Sequence, residues 1–258
     1  MSPSNHTEAF RDLRVPAGKA AGMRYLLECV QSGYVFFTSG RLEAAKVPGF
    51  VSKMSERYSV TANRHARAWA RTQGRGNARL VLLPADESNP ARDWLFWLLA
   101  TEGAGPVHEQ EVLADVRTPG TRLCWPKNYG RHGQQDWHPM YVLSARAVRT
   151  RTRGVRYRLT WVMAPRFYEQ MQAWFQRAAG RARSSAEKDL TYLQKAVEAL
   201  RHLPGFKGIR EQKRQLLREA ALPHAVWDAL ALQDIGPFVD KHLPVFRPGD
   251  TVASRLKP

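Results

Sequence analysis

The sequence predicts an α+β protein with a mostly antiparallel sheet, and three observations carry that expectation. Over the first 180 residues, short apolar runs bounded by turn residues alternate with amphipathic helical stretches. Two of those runs, ARLVLLP and DWLFWLLATEG, are separated by the turn-forming ADESNPAR, the pattern of a β-hairpin. Beyond about Gly180 only helical patterns remain. Two parts are therefore expected: an α+β domain over 1–180, and a helical region over 181–258 with an extended tail.

Each element has its own signal. Lys19–Gln31 has helical spacing, with Met23, Leu26, Leu27 and Val30 on one side. Gly33 ends it, and Tyr34–Gly40 reads as a short buried strand closed by a Ser-Gly turn. Leu42–Tyr58 is a second helical stretch, weakened by Pro48-Gly49. Asn63–Gln73 is a third, with Asn63 as N-cap and Gly74-x-Gly76 as the stop. After the hairpin, HEQEVLADV is acidic and reads as helical. TRLCW, MYVLSARAV and VRYRLTWVMA read as strands, the last two joined by RTRG. The next helix starts at Pro165 and carries Phe167, Met171 and Trp174 or Phe175 on one face. GRARSSAEKD follows as a polar linker or helix start. DLTYLQKAVEALRHL, GIREQKRQLLREAAL and PHAVWDALALQD then read as helices. The Pro-rich stretch from Gly236 to Pro258 reads as extended. This order suits helices on one face of the sheet, compatible with a ferredoxin-like, RNA-recognition-type topology.

The charge balance narrows the partners. Forty Lys+Arg oppose 23 Asp+Glu, for a net charge of +17, and the pI is near 10.4. Such an excess repels itself in the folded monomer, and a polyanionic partner relieves it. Arginine outnumbers lysine heavily, which favours bidentate recognition of phosphates and bases. The rival readings are a composition set by a high-GC genome and a subunit whose arginines face an acidic protein.

Other classes find little support. The longest apolar run, Trp94–Ala100, is far too short to span a bilayer, so no membrane partner is expected. The N-terminal stretch carries acidic residues and lacks an apolar core, so no signal peptide and a cytoplasmic location are expected. Cys29 and Cys124, the two cysteines, are expected as small buried hydrophobes without a disulfide or zinc role. No metal and no cofactor are expected. The Gly103-Ala-Gly105 loop lacks a phosphate-loop pattern, and HExxH, EF-hand and GxSxG motifs do not occur.

The segment NRHARAWARTQGRGNARL, Asn63–Leu80, holds five arginines, one histidine and no acid. If it is helical, Arg64, Arg67, Arg71 and Arg75 recur along one stripe, and no acid lies between Glu56 and Asp86. Like charges at that spacing destabilise an isolated helix, so phosphates are the natural counter-charge. Trp69 is then a stacking platform or an apolar anchor, and Arg57 and Arg79 flank the stripe. Such a helix suits both a widened RNA major groove and the major groove of DNA.

A second cluster comprises Arg146, Arg149, Arg151, Arg153, Arg156 and Arg158, with no acid between Asp136 and Glu169. Strand alternation puts Arg156, Arg158 and Thr160 on one face, opposite Tyr157, Leu159 and Trp161. That face is expected either to track a nucleic-acid backbone or to be the polar side of a half-buried strand. Catalytic residues are unassigned. The weak candidates are His132 and His138, which flank Asp136 in a glycine-bearing loop, Tyr129 beside them, and His65 within the stripe. His108 is a further weak one.

YVFFTSG, the helix after it, the arginine segment before ARLVLLP and the basic balance together resemble the repeat-processing ribonucleases of type IV CRISPR systems. Those are RAMP-superfamily proteins with an RNA-recognition fold. The resemblance covers about the first 180 residues. It implies a protein that cuts precursor CRISPR RNA at a repeat hairpin without metal and stays bound in a ribonucleoprotein, a basic helical finger gripping the stem. One feature departs from it: the glycine-rich loop common near the C-terminus of such nucleases is replaced by IREQKRQLLREA and LPHAVWDALALQD. GYVFFTSG followed by NARLV is also similar to patterns in basic proteins of bacterial mobile elements. That likeness implies a plasmid or conjugative-element origin and fixes no activity; the rival function is a non-enzymatic DNA-binding accessory or regulator of such an element.

Overall fold

A computed structural model of the chain describes residues 13–118, 120–126, 139–150, 154–184, 190–222, 245–246 and 250–256. Within them the protein is α+β with antiparallel sheets. The chain packs as two compact units, Met1–Leu123 with His242–Pro258, and Cys124–Lys241. The division falls at Leu123/Cys124 and not near 180, where the sequence changes character. The reason is local: the second sheet makes its core with the helices that follow it.

The first unit begins with helix α1 (Lys19–Gln31) and strand β1 (Phe36–Glu43). A 3-10 turn at Ala44–Lys46 leads into α2 (Val47–Tyr58) and α3 (Arg64–Thr72). The hairpin β2 (Ala78–Pro84) and β3 (Asp93–Ala100) follows, then α4 (Pro106–Gln110) and β4 (Ala114–Asp115). The sheet order is β2-β3-β1-β4, and every neighbouring pair is antiparallel. Strands β1 and β2 therefore run parallel with β3 between them, and α2 and α3 make the crossover. Pro48 does not break α2, because it falls in the first turn, where a missing N–H costs no intrahelical bond. The helix expected over HEQEVLADV is shorter: α4 ends at Gln110, and Ala114–Asp115 pairs with β1 instead.

Strand β2 is apolar at successive positions because both faces of the sheet are covered. Pairing places Arg79, Val81, Trp97 and Leu99 on one face, and Leu80, Leu82, Phe96 and Leu98 on the other. Helix α1 covers the first face, where Cys29 meets Arg79. Helix α2 covers the second, with the Phe50 and Phe96 ring centroids 4.8 Å apart. On that second face α4 sets His108 edge-on against Phe36 at 5.0 Å. The expectation of helices on one face is thus corrected. Val81, Trp97 and Leu99 leave water on that face, and α1 packs there against β2. Residues 250–256 also join this unit, with the Val252 amide donating to Leu13 O at 3.0 Å. They carry a one-turn helix, Val252–Arg255, held by a reciprocal Thr251–Ser254 capping box, where an extended tail is the expectation.

The second unit has a three-stranded antiparallel sheet of β5 (Cys124–Pro126), β6 (Pro139–Thr150) and β7 (Gly154–Met163) in that order. Helices α5 (Pro165–Ser184), α6 (Thr191–Arg201) and α7 (Lys207–Glu219) follow. Helix α5 opens at Pro165 as expected and runs on through the start of the segment that reads as a linker. Gly208 lets α7 lie directly on β7: its amide donates to Thr160 Oγ1 at 3.2 Å. A Cβ there would sit 2.6 Å from Trp161 O and Val162 Cγ1. Trp125, Tyr141, Trp161 and Met163 are buried in this core. The helix expected over PHAVWDALALQD lies outside the described residues. Among the described residues no helix is long and apolar enough to cross a membrane.

Candidate nucleic-acid interface

The arginine segment folds as a nine-residue helix with defined ends. Asn63 has extended backbone, and its Oδ1 accepts from the Ala66 amide at 2.9 Å, meeting one of the donors that a helix start leaves unpaired. At the other end Gly74 takes φ +67. The Gly74 amide donates to Arg71 O and the Arg75 amide to Ala70 O, the paired bonds of a Schellman cap. The stop signal read in Gly74-x-Gly76 is therefore a backbone requirement.

The base of α3 is tied to the end of β3. Ala104 donates to Gly74 O at 3.0 Å and accepts from the Gly76 amide at 2.9 Å. Buried Asn77 exchanges backbone and side-chain bonds with buried Thr101, and its Nδ2 donates to Arg67 O at 3.1 Å. His108 Nε2 donates to Thr101 O at 2.8 Å, which ties α4 to the end of β3. Asn77 and Thr101 carry no sequence signal of this role; they are partners only because β2 and β3 pair.

The four stripe arginines do not share one environment. Arg64, Arg71 and Arg75 are exposed, as are His65 on the same helix and Arg57 in the last turn of α2. Trp69 is 60% exposed, with the Arg75 guanidinium 6.0 Å from its ring centroid, the outer limit of a cation–π contact. Arg67 turns inward, its NH2 donating to Val60 O at 2.7 Å. Burial lowers its pKa, the mark of a desolvated cation, though a guanidinium stays charged. Arg79 is half-buried under α1, its NH1 donating to Cys29 Sγ at 3.5 Å. Arg67, expected on the outer stripe, thus turns inward, and Arg79, expected beside the stripe, is half-buried. The sequence spacing missed Tyr25 and Tyr34, whose rings lie beside Arg79.

Cys29 is buried, as expected of a small hydrophobe, and burial pushes its thiol pKa up, leaving it neutral. Cys124 packs against Val142, Val162 and Ala164. No disulfide joins the two.

The second cluster is partly closed. Arg158 is exposed, but Thr160, on the same strand face, is buried beneath α7. Of the face expected to carry Arg156, Arg158 and Thr160, Thr160 is therefore covered by α7. The side chains of Arg146, Arg149 and Arg156 lie outside the described residues, as do Arg151 and Arg153. The catalytic candidates Tyr129, His132 and His138 lie outside them too.

Comparison with known proteins finds no matching family model, no matching curated protein and no matching solved structure.

Proposed function

We propose that the protein binds structured RNA through α3. Arg64, Arg71 and Arg75 take backbone phosphates, and Trp69 stacks on a base at the end of a stem. The observation that carries this reading is a capped, braced helix that exposes a tryptophan at 60% among exposed arginines. Among the described residues none of those arginines has a carboxylate partner. Hydration alone explains exposed arginines, yet it does not explain a large apolar ring held in water between them. Bases available for stacking occur in loops, bulges and stem ends, which favours RNA hairpins over a continuous DNA duplex.

The connection β–α–β–β–α–β, with β1 and β3 central, supports reading the first sheet as a shortened ferredoxin-like one. In RNA-recognition domains of that topology the open sheet face binds RNA. Here α1 covers that face, so binding shifts to the crossover helix α3. The resemblance to type IV CRISPR processing nucleases extends the proposal: the RNA is a repeat hairpin, cut without metal and retained.

Binding is measured by fluorescence anisotropy with one hairpin sequence made as RNA and as DNA, over a series of salt concentrations. Tighter binding of the RNA hairpin, with cleavage in EDTA leaving a 2′,3′-cyclic phosphate, is the expected result. Hairpin binding without cleavage removes the nuclease extension alone. Equal or tighter binding to the DNA duplex sinks the RNA reading in favour of a DNA-binding accessory.

A further inference from the structure

Inward of the exposed stripe lies a second cationic centre. The Arg79 guanidinium reaches it from β2, 4.8 Å from the Tyr34 ring centroid and 5.5 Å from that of Tyr25. Arg71 approaches the same Tyr34 ring at 5.9 Å from α3. Arg67 is the electrostatic neighbour of Arg79, Tyr25 and Tyr34. The Nε atoms of Arg67 and Arg79 are buried without a hydrogen-bond acceptor.

Three half-buried arginines elsewhere sit on carboxylates: Arg41 on Asp93, Arg24 on Glu28 and Arg255 on Asp250. Among the described residues no carboxylate pairs with Arg67, Arg71 or Arg79. Neighbouring half-buried cations lose hydration and repel each other, so the arrangement asks for an anion. The groups around them do not supply one. Burial pushes the Tyr25 phenol up to about 12 and raises the Cys29 thiol, so both are neutral near pH 7. Neutral phenols are instead donors that add to the guanidinium forks around a tetrahedral oxyanion.

We propose that Arg67, Arg71 and Arg79, framed by Tyr25 and Tyr34, form a binding site for a single phosphoryl group. The site shares Arg71 with the α3 surface but does not depend on RNA binding at Arg64, Trp69 and Arg75. Its phosphoryl group comes either from a terminal phosphomonoester or from an internal phosphodiester.

The test titrates the full chain with inorganic phosphate at constant ionic strength, following heat and the ³¹P line width. One saturable site is expected, weakened about tenfold or more in Arg79→Gln, the loss expected for removing a charge-assisted hydrogen bond. Arg64→Ala leaves it unchanged. Should Arg79→Gln not fold, Arg71→Gln, on the exposed turn of α3, carries the same expectation. Competition with 5′-phosphorylated and 5′-hydroxyl oligonucleotides separates the sources. Displacement by the phosphorylated one alone marks a monoester site, and displacement by both marks a diester site. Absence of saturable phosphate binding, or equal affinity in the wild type and both glutamine variants, overturns the proposal. Loss of hairpin binding in Arg64→Ala with phosphate binding intact leaves it standing.

Discussion

Gly103 lies against Gly76 so closely that a Cβ on Gly103 would enter the Gly76 amide nitrogen and come within 2.6 Å of Arg75 C. Its φ of +127 already excludes most side chains. This close backbone approach lets Ala104 bond to Gly74 and Gly76, and so aims α3. Gly103→Ala is expected to cost about 1–3 kcal/mol of stability. It should also speed amide exchange over residues 64–76 and weaken hairpin binding without any change of charge. Unaltered exchange in that segment refutes the bracing role.

The inside and outside arginines should separate in salt dependence. Arg64→Ala and Arg75→Ala are each expected to lower the slope of log K against log salt by about 0.7–0.9, one phosphate contact each, with unfolding unchanged. Arg67→Ala should lower stability as well, since its guanidinium holds Val60 O. Equal thermal stability of all three variants contradicts the inward placement of Arg67.

Lys213 is fully buried, its Nζ donating to Leu203 O at 2.8 Å. Burial lowers its pKa from 10.5 to about 8. Between those pH values the unfolded chain binds more protons than the folded one, so stability rises with pH across that window. Below pH 8 lysine is charged in both states and its contribution has no slope. Urea unfolding of wild type against Lys213→Met should show the wild type gaining on the order of 1–3 kcal/mol from pH 8 to 10.5. Parallel pH profiles rule this out.

Gly208→Ala tests the seat of α7 on β7. The added methyl meets Trp161 O, which belongs to the strand and has little freedom to move. A loss of about 1–3 kcal/mol is expected by calorimetry. An unchanged midpoint means that α7 can slide on the strand.

Several elements are readable one residue at a time. Helix α1 has the bounds its spacing predicts, Asn63 and Gly74 close α3, and ARLVLLP pairs with the following run because each residue type favours its local backbone. The arginine stripe is equally legible, since charge is a property of composition. Which of those arginines meet water is not. Arg67 and Arg64 are the same residue type one turn apart, and only the packing of α3 on Val60 and Asn77 turns one inward. Likewise nothing in the order of residues joins Tyr25, Tyr34, Arg71 and Arg79; strand pairing and the seat of α1 bring them together. The sequence by itself determined the elements and the excess of positive charge, because both arise from local stereochemistry and counting. The tertiary structure alone decided which charges are desolvated and who their neighbours are, because burial depends on contacts between residues far apart in the chain.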